Sequence, residues 1–383
     1  MKFLILTHYI SPDVKGGSYS TAYGIAKALA KYSQVTLFSF VPEGLSKEKF
    51  EKINNISIFR IPEKKFTPLY LKEEYDVLII HSPIMFFKYL FSRKIKRPIF
   101  YLVHSPSHIE RYQSIQKKDI KYYFLKIFEK VIYKKSDALL FHTEYMKQIA
   151  NLSFKEKKKS FFIPFGINKP DNLTVTDSNE IKILNTINED IINGYKIILS
   201  VRGLKPRTGV DNLIKAFKYL RNQKVKLYIG GNGPLFLKLQ ELIKELNLEN
   251  NVFLLGSITD ELKFNLFSIS YLSVMTTISL EGFGISILES MYAGCPAIVT
   301  PVGGMYEFYI NNGLEELITN TIEPESIARR IEQLLQEPDK IEYFREKSLM
   351  LAKGFDFDDL GEIYLKKFSY ILELLNSRNS VLF

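Results

Sequence analysis

Short apolar runs separated by helix-patterned stretches recur along the whole 383-residue chain. The first half contains runs typical of buried strands: FLIL, VTLFSF, ISIFRI, DVLII, PIFYLV and ALLFHT. The second half restarts the rhythm with KIILSV, VKLYIGG, NVFLLG, LSVMTT and PAIVT. Alternation of strands and helices in both halves predicts an α/β protein with two doubly wound, parallel-sheet domains.

A polar stretch without a clear period, residues 168–191, separates the two halves. The chain ends in an amphipathic helix pattern, LGEIYLKKFSYILELL. These patterns predict an N-terminal domain, a linker, a C-terminal domain and a terminal helix at residues 1–168, 169–194, 195–355 and 356–383.

The net charge of +10 is distributed unevenly. Residues 1–168 hold 29 Lys and Arg against 14 Asp and Glu, a net of +15, whereas the remainder has a net of −5. The basic half is expected to seek an anionic partner, such as anionic membrane lipid, a lipid diphosphate or nucleic acid. No recognisable nucleic-acid module accompanies the charge, so nucleic acid is not expected as a partner.

Composition also indicates the cellular compartment in which the protein is expected. No apolar run approaches the roughly 18 residues of a membrane span, and MKFLIL is interpreted as a first strand rather than a signal peptide. The one cysteine, Cys295, excludes an intrachain disulfide and suits a reducing cytoplasm.

Residues 112–135 hold seven lysines interleaved with aromatic and branched apolar residues. The favoured interpretation is a domain helix with its apolar face in the core and its lysines in water. The alternative is a basic amphipathic helix that lies on an anionic membrane surface.

Two strand-to-helix loops have features of phosphate-binding sites. Gly16 and Gly17 follow the first strand and precede a helix, where backbone N–H groups can approach an anion. In the second half, Arg202, Lys205 and Arg207 occupy the matching loop and could clamp a diphosphate. The alternatives are a structural Gly-Gly turn and a solvated basic loop.

The segment TISLEGFGISILES, residues 277–290, joins a predicted strand to a predicted helix and carries Glu281 and Glu289. Ligands of open α/β sheets bind at such carboxyl ends of strands. Glu289 has a structural alternative, because Ser286 three residues earlier gives capping-box spacing. No such alternative explains Glu281.

This two-glutamate segment, with Gly-Phe-Gly after the first glutamate, resembles the signature of retaining glycosyltransferase family 4 (glycosyl transferases group 1). Other landmarks of that resemblance fall in order along nearly the whole chain: Gly16-Gly17, DVLIIHSP, YLVHSPS, SDALLFHTEYMK, IPFGIN, GGNGP, NVFLLGSITDELK and the run through PVGG. The resemblance implies the GT-B fold, in which two Rossmann-like domains face a central cleft and a C-terminal helix returns to the N-terminal domain.

Site roles follow from the resemblance, residue by residue. Glu281 would contact the hydroxyls of the donor sugar, helped by backbone groups of Gly282, Phe283 and Gly284. Glu289 would hold the nucleotide ribose. Gly16 and Gly17 would border the donor diphosphate and the acceptor. His104 would contact the sugar near the reacting centre, or else is a packed strand-end histidine; the other histidines are interpreted as structural.

One departure from the family pattern concerns the diphosphate. The positions at which the family usually has arginine and lysine hold Gly203 and Thr208. Arg202, Lys205 or Arg207 is expected to take over the contact.

The implied activity is that of a metal-independent, hexosyltransferase-type enzyme. It would move a sugar, with retention, from a UDP-sugar or GDP-sugar to a hydroxyl of a glycan or lipid-linked acceptor. Such a protein would need no other cofactor and would act in surface polysaccharide or glycoconjugate synthesis, in the cytoplasm or at the inner face of the membrane. The alternatives are a nucleotide-sugar epimerase of GT-B fold and a non-catalytic binder of anionic surfaces.

Overall fold

The computed structural model describes residues 1–10, 13, 17–42, 49–65, 74–90, 98–154, 160–221 and 223–379. The chain forms two compact units. The first comprises residues 1–112, 116–168 and 355–383, and the second comprises residues 169–354 with 113–115.

Strands and helices alternate through both units. The strands are β1 (Lys2–Leu6), β2 (Gln34–Phe40), β3 (Lys49–Ile53), β4 (Ile56–Ile61), β5 (Val77–Ile80), β6 (Ile99–Leu102), β7 (Ala138–Phe141), β8 (Ser160–Phe162), β9 (Lys196–Val201), β10 (Val225–Gly230), β11 (Val252–Gly256), β12 (Leu272–Met275) and β13 (Ala297–Val299). The helices are α1 (Gly17–Ala30), α2 (Pro83–Leu90), α3 (Ser107–Ile115), α4 (Ile120–Lys135), α5 (Glu144–Phe154), α6 (Ser178–Ile192), α7 (Val210–Ala216), α8 (Phe236–Glu245), α9 (Asp260–Ile269), α10 (Ile285–Tyr292), α11 (Gly304–Asn311), α12 (Pro324–Gln336), α13 (Pro338–Lys353) and α14 (Phe357–Asn379).

The sheet of the first unit has the strand order β3-β4-β2-β1-β5-β6-β7-β8. Its described pairs are parallel except that of β3 with β4, which is antiparallel. The pattern missed β3 because this edge strand, KFEKI, is exposed or half-buried throughout and contains no apolar run. The expectation of an entirely parallel sheet therefore fails at this edge.

Helix α14 closes the core of the first unit. It packs along α1, and its residues Phe357, Leu360, Tyr364 and Phe368 are buried in that core. A Cβ atom on Gly24 of α1 would lie 2.2 Å from the Phe357 ring, so only glycine permits this approach. The return of the C-terminal helix to the N-terminal domain is thereby confirmed.

The sheet of the second unit is parallel, with the strand order β11-β10-β9-β12-β13. The helices of this unit connect and cover its strands, as in a doubly wound fold. The prediction of two doubly wound α/β units is thus confirmed.

The stretch expected to be a linker, residues 169–194, contains helix α6. Asp177 caps this helix by accepting hydrogen bonds from the backbone N–H groups of Asn179 (2.9 Å) and Glu180 (3.0 Å). Ile187 is buried, whereas most of the helix surface faces solvent. The stretch looked aperiodic because this apolar side is narrow, and residues 178–192 of the expected linker form a helix that the pattern did not predict.

The basic stretch 112–135 is two helices rather than one. Helix α3 ends where Gln116 adopts a left-handed backbone conformation with φ 52°. Helix α4 begins after Asp119, whose carboxylate accepts a hydrogen bond from the N–H of Tyr122 at 2.9 Å. A cap of this kind starts a new helix where the apolar pattern alone continues.

Candidate functional site

Strands β9 and β12 are parallel neighbours in the second sheet, with Ile198 opposite Leu272. Their carboxyl ends therefore meet at one edge, and the loops 202–209 and 276–284 leave that edge side by side. The first loop begins at Arg202, and the side chain of this residue contacts Thr276 and Thr277 of the second loop.

Glu281 lies between two arginines of the neighbouring loop. Its Oε2 accepts hydrogen bonds from Nη2 of Arg202 (3.0 Å) and from Nη1 of Arg207 (3.2 Å). Nη1 of Arg202 also donates to the carbonyl of Thr276 and to Oγ1 of Thr277, the latter at 3.1 Å. Nη1 of Arg207 donates to the carbonyl of Leu280 at 2.9 Å. Two of the three predicted cations and the predicted carboxylate thus form one cluster.

The two arginines differ in how far their side chains are buried. The side chain of Arg202 is 10% exposed, that of Glu281 17% and that of Arg207 26%. Burial lowers the pKa of Arg202, the carboxylate of Glu281 opposes that shift, and the charge of Arg207 adds to it. Because guanidinium groups stay protonated in proteins, the cluster holds two positive charges against one negative charge.

The backbone of Glu281 is held by the glycine pair that follows β13. The N–H of Gly304 donates to the carbonyl of Glu281 at 3.0 Å. Gly303 has φ 85°, and a Cβ atom there would lie 2.6 Å from the same carbonyl oxygen. Only glycine fits at residue 303, so this glycine allows the close approach that positions Glu281.

Lys205 is exposed and does not join the cluster. Gly203 is exposed as well. Thr208 is buried, and its hydroxyl donates to the carbonyl of Lys205 at 2.7 Å, which closes the short turn 206–208. The two positions that depart from the family pattern are thus a solvent-facing glycine and a structural threonine.

The Gly-Phe-Gly sequence after Glu281 has a structural component. Phe283 is buried and packs edge-on against Phe308 with ring centroids 5.7 Å apart. Gly284 has φ 82° and precedes the first residue of α10. The predicted donor contacts of Gly282, Phe283 and Gly284 can therefore come from the backbone, while the Phe283 side chain belongs to the core.

Glu289 is buried on α10, and its partner is Lys263 of α9. Oε1 of Glu289 accepts a hydrogen bond from Nζ of Lys263 at 2.7 Å, and Asp260 accepts from the same ammonium at 2.8 Å. Burial lowers the pKa of Lys263, but the two carboxylates outweigh it and the net pKa is raised. Ser286 makes no cap, because α10 begins at Ile285 after Gly284. The capping-box alternative for Glu289 is therefore wrong, and Lys263, inside the quoted landmark NVFLLGSITDELK, is a residue to which the sequence assigned no role.

In the first unit, a row of histidines follows four neighbouring strands. His8, His81, His104 and His142 lie just beyond β1, β5, β6 and β7, which are adjacent in the sheet. Nδ1 of His81 is 3.3 Å from Nε2 of His104, and the rings of His104 and His142 have centroids 6.2 Å apart. The sequence analysis singled out only His104, although His8, His81 and His142 follow the other strand ends in comparable positions.

These imidazoles are held neutral. Burial lowers the pKa of His104 to about 3, with a further contribution from His142, and burial lowers that of His142 to about 4. Nδ1 of His142 lies 3.2 Å from the carbonyl of Ile163 and must donate, because a carbonyl only accepts. Near neutral pH, His104 can therefore exchange hydrogen bonds but cannot supply a positive charge.

A buried pair braces the loop that carries His104. Nδ1 of His108 is 2.6 Å from Oε2 of Glu129, and both residues are buried. The other oxygen of Glu129 accepts from the N–H of Ser107. Helix α4 is in this way attached to the start of α3, three residues after His104.

Gly16 lies outside the described residues, and Gly17 is the first residue of α1. Over the described ranges, no group of three or more His, Cys, Asp or Glu side chains is arranged to hold a metal ion. A search of those same ranges finds no helix with the length and apolar character that a membrane span requires.

Comparison with known families gives two matches that together cover most of the chain. The family described as Glycosyltransferase Family 4 matches residues 15–169, and Glycosyl transferases group 1 matches residues 185–349. A glycosyltransferase of Methanocaldococcus jannaschii is 23% identical over 98% of this chain and 100% of its own length. Poly(glycerol-phosphate) alpha-glucosyltransferase of Bacillus subtilis is 27% identical over 69% of this chain but only 38% of that protein.

Solved structures with the same fold cover nearly the whole chain. Sucrose-phosphate synthase from Thermosynechococcus elongatus superposes with a TM-score of 0.77 at 18% identity, over 96% of this chain and 99% of that one. HepE of Anabaena in complex with UDP-glucose superposes with a TM-score of 0.71 at 20% identity, over 97% and 100%. The family matches and the fold agree with the resemblance: the chain belongs to glycosyltransferase family 4 and has the GT-B fold.

Proposed function

We propose that this glycosyltransferase moves a sugar from a nucleotide diphosphate sugar to a hydroxyl of a glycan or lipid-linked acceptor. The anomeric configuration is retained and no metal ion takes part. The product belongs to a cell-surface polysaccharide or glycoconjugate, assembled at the cytoplasmic face of the membrane. The observation that carries the proposal is the cluster of Glu281 with Arg202 and Arg207 at the carboxyl ends of β9 and β12.

The two arginines have different roles in this proposal. Arg202 is the more buried and donates to two threonines and to Glu281, so it positions the loop after β12. Arg207 is more exposed and is the guanidinium that binds the diphosphate, since a planar fork suits phosphate oxygens. Lys205, exposed in the same loop, adds positive potential without a fixed contact.

Glu281 binds the hydroxyls of the donor sugar through carboxylate oxygens that the arginines hold in place. A carboxylate fixed in this way needs no reordering when the sugar arrives, and preorganisation of this kind lowers the cost of binding. Glu289, held by Lys263, binds the ribose of the nucleotide. Gly16 and Gly17 border the diphosphate and the acceptor.

The chemical step breaks the bond between the anomeric carbon and the diphosphate oxygen and forms a bond from that carbon to the acceptor oxygen. The acceptor proton passes to the leaving diphosphate, whose negative charge is stabilised by Arg207 and by backbone N–H groups. His104 contacts the sugar as a neutral hydrogen-bonding group, as its low pKa requires.

The named relatives support a nucleotide-sugar donor and a polymeric or phosphorylated acceptor. HepE of Anabaena has been solved with UDP-glucose, and the Bacillus subtilis relative is an alpha-glucosyltransferase of poly(glycerol-phosphate). A UDP-sugar or a GDP-sugar is accordingly the co-substrate to test first.

Replacing the central carboxylate tests this function. Glu281→Ala is expected to reduce release of nucleoside diphosphate from the sugar donor roughly a hundredfold or more, because the positioned group is lost at the reacting sugar. The measurement is nucleoside diphosphate release in the presence of lipid-linked and free glycan acceptors, with circular dichroism to confirm the fold.

Glu249→Ala is the matched control, because Glu249 is an exposed carboxylate of the same unit. It is expected to retain full activity. Near-normal activity of Glu281→Ala would contradict the assignment, and conversion of the donor into its epimer without an acceptor would favour the epimerase instead.

A further inference from the structure

Helix α4 exposes a row of large apolar side chains. Their exposed fractions are 89% for Ile120, 54% for Tyr123, 63% for Phe124, 67% for Ile127 and 40% for Val131. Burial of such side chains is worth roughly 1.5–3 kcal/mol each. A contiguous exposed row of this size marks an interaction surface more often than scattered single residues do.

The row faces away from the core of its own unit. At about 100° per residue, these five positions lie within about 100° of arc around one side of the helix. The buried residues Glu129, Ile132 and Tyr133 lie on the opposite side. The domain-helix interpretation, with apolar residues in the core and lysines in water, therefore accounts for only half of this helix.

The exposed apolar surface continues onto a second helix. Phe128 of α4 packs edge-on against Phe87 of α2, with ring centroids 4.9 Å apart. Phe87 and Ile84 of α2 are themselves exposed. We call the five exposed apolar residues of α4, together with Ile84 and Phe87, the apolar face.

Lysines border the apolar face on both sides, while the nearby acidic groups are already paired. Lys130 and Lys134 flank one side and Lys121 and Lys135 the other, and all four are exposed. Asp119 is bound by Arg111, with Nε to Oδ1 at 2.9 Å, and Glu129 is buried with His108. The surface around the apolar face is thus strongly positive.

We propose that the apolar face of α4 docks on an anionic lipid bilayer, with Phe124 and Ile127 entering the interface and the flanking lysines contacting lipid phosphates. A helix of 16 residues, about 24 Å long, lies in the plane of the membrane in this arrangement. Apolar residues between two rows of cations match the acyl and headgroup layers of an anionic surface. The proposal stands independently of the sugar-transfer reaction.

Docking through α4 would also fix the loop that carries His104. Glu129 lies on the opposite side of α4 and binds Ser107 and His108, which follow His104 by three and four residues. The membrane-facing and site-facing sides of α4 thus belong to one rigid element of the first unit.

Because the chain contains no tryptophan, one introduced indole reports on its own surroundings. The Phe124→Trp protein is expected to shift its emission to the blue on addition of vesicles of equal parts phosphatidylcholine and phosphatidylglycerol. Phosphatidylcholine vesicles alone should produce little shift. The matched control is Leu152→Trp, an exposed position on a different helix, α5, of the same unit, which should not shift with either vesicle.

A charge variant tests the lysines separately. Lys130→Gln with Lys135→Gln should weaken binding to the anionic vesicles roughly thirtyfold, because each lysine near the surface contributes about 1 kcal/mol and every 1.4 kcal/mol is a factor of ten. The control, Lys52→Gln with Lys367→Gln, removes two exposed lysines of the same unit and should bind normally.

Three results would overturn the proposal. These are an unshifted Phe124→Trp emission with both vesicles, equal binding by the two lysine variants, and a blue shift that grows with protein concentration in the absence of lipid. The last would assign the apolar face to a second copy of the chain.

Discussion

At the scale of single residues, Glu281 keeps two guanidinium groups close together that would otherwise repel each other. Arg202 and Arg207 both bind its Oε2. In the proposed function, an arriving diphosphate supplies further negative charge, so Arg207 can turn to the phosphate while Arg202 stays in place. The same carboxylate thereby organises the empty site and contacts the sugar in the filled one.

The identity of these residues could be predicted from the sequence, but their pairing could not. Glu281 follows Arg202 by 79 positions and Arg207 by 74. They meet because β12 pairs directly with β9, while β10 and β11 lie on the other side of β9. Strand order within a parallel sheet depends on packing of the whole unit, which local patterns do not encode.

The neutral histidines predict a loss of stability in weak acid. Unfolded imidazoles have a pKa near 6.5, whereas the pKa of native His104 is about 3 and that of native His142 is about 4. Between those limits the unfolded state binds more protons, so the free energy of unfolding falls as pH falls. Each group contributes up to about 1.4 kcal/mol per pH unit.

Urea unfolding followed by circular dichroism at pH 7 and pH 5 measures this effect. The difference between the two pH values should be smaller for His104→Asn combined with His142→Asn than for the unsubstituted protein. Equal losses in both proteins would show that these imidazoles titrate normally in the folded state.

At the scale of elements, α9 and α10 are joined by the buried pair of Lys263 and Glu289. Helix α10 begins directly after Gly284, the last residue of the loop that carries Glu281. The pair of Lys263 and Glu289 therefore anchors the helix next to that loop. The sequence predicted α10, but not the pair, because the two residues lie 26 positions apart on separate helices.

Lys263→Met is expected to destabilise the protein by about 3 kcal/mol, since it leaves the buried carboxylate of Glu289 without its cation. Lys263→Met combined with Glu289→Met should recover part of that loss, because no unpaired charge then remains. Thermal or urea unfolding of the three proteins measures the coupling. A single variant as stable as the unsubstituted protein would mean that the pair contributes nothing.

Helix α4 shows a second limit of pattern reasoning. Its apolar residues occupy two opposite sides, one buried and one exposed, while lysines fill the intervals. A single periodicity cannot tell which side faces the core. The exposed fractions in the folded chain distinguish the two sides, one of which is buried in the first unit and the other exposed.

At the scale of the whole molecule, the first unit contains both the N-terminal half of the chain and the C-terminal helix α14. Alternation of apolar runs predicted the two α/β halves, because most of the parallel strands in the two sheets are short runs of buried apolar residues. The return of α14 to the first unit was predicted from the family resemblance instead, since an amphipathic helix pattern does not indicate which element the helix packs against. Helices α14 and α1 pack closely because the ring of Phe357 occupies the space that any side chain at residue 24 would fill.

The measurement that tests the central claim most directly is the shift in unfolding temperature with nucleotide diphosphate sugars of uridine, guanosine, adenosine and thymidine. A ligand that binds the native state raises stability by mass action, about 2.7 kcal/mol at a hundred times its Kd. The control variant, Arg329→Ala, removes an exposed arginine from the unit that contains Arg207. At least one donor should raise the unfolding temperature of the unsubstituted protein and of this control. Arg207→Ala should need a higher concentration for the same shift. No shift with any donor, or an unchanged response of Arg207→Ala, would contradict the account.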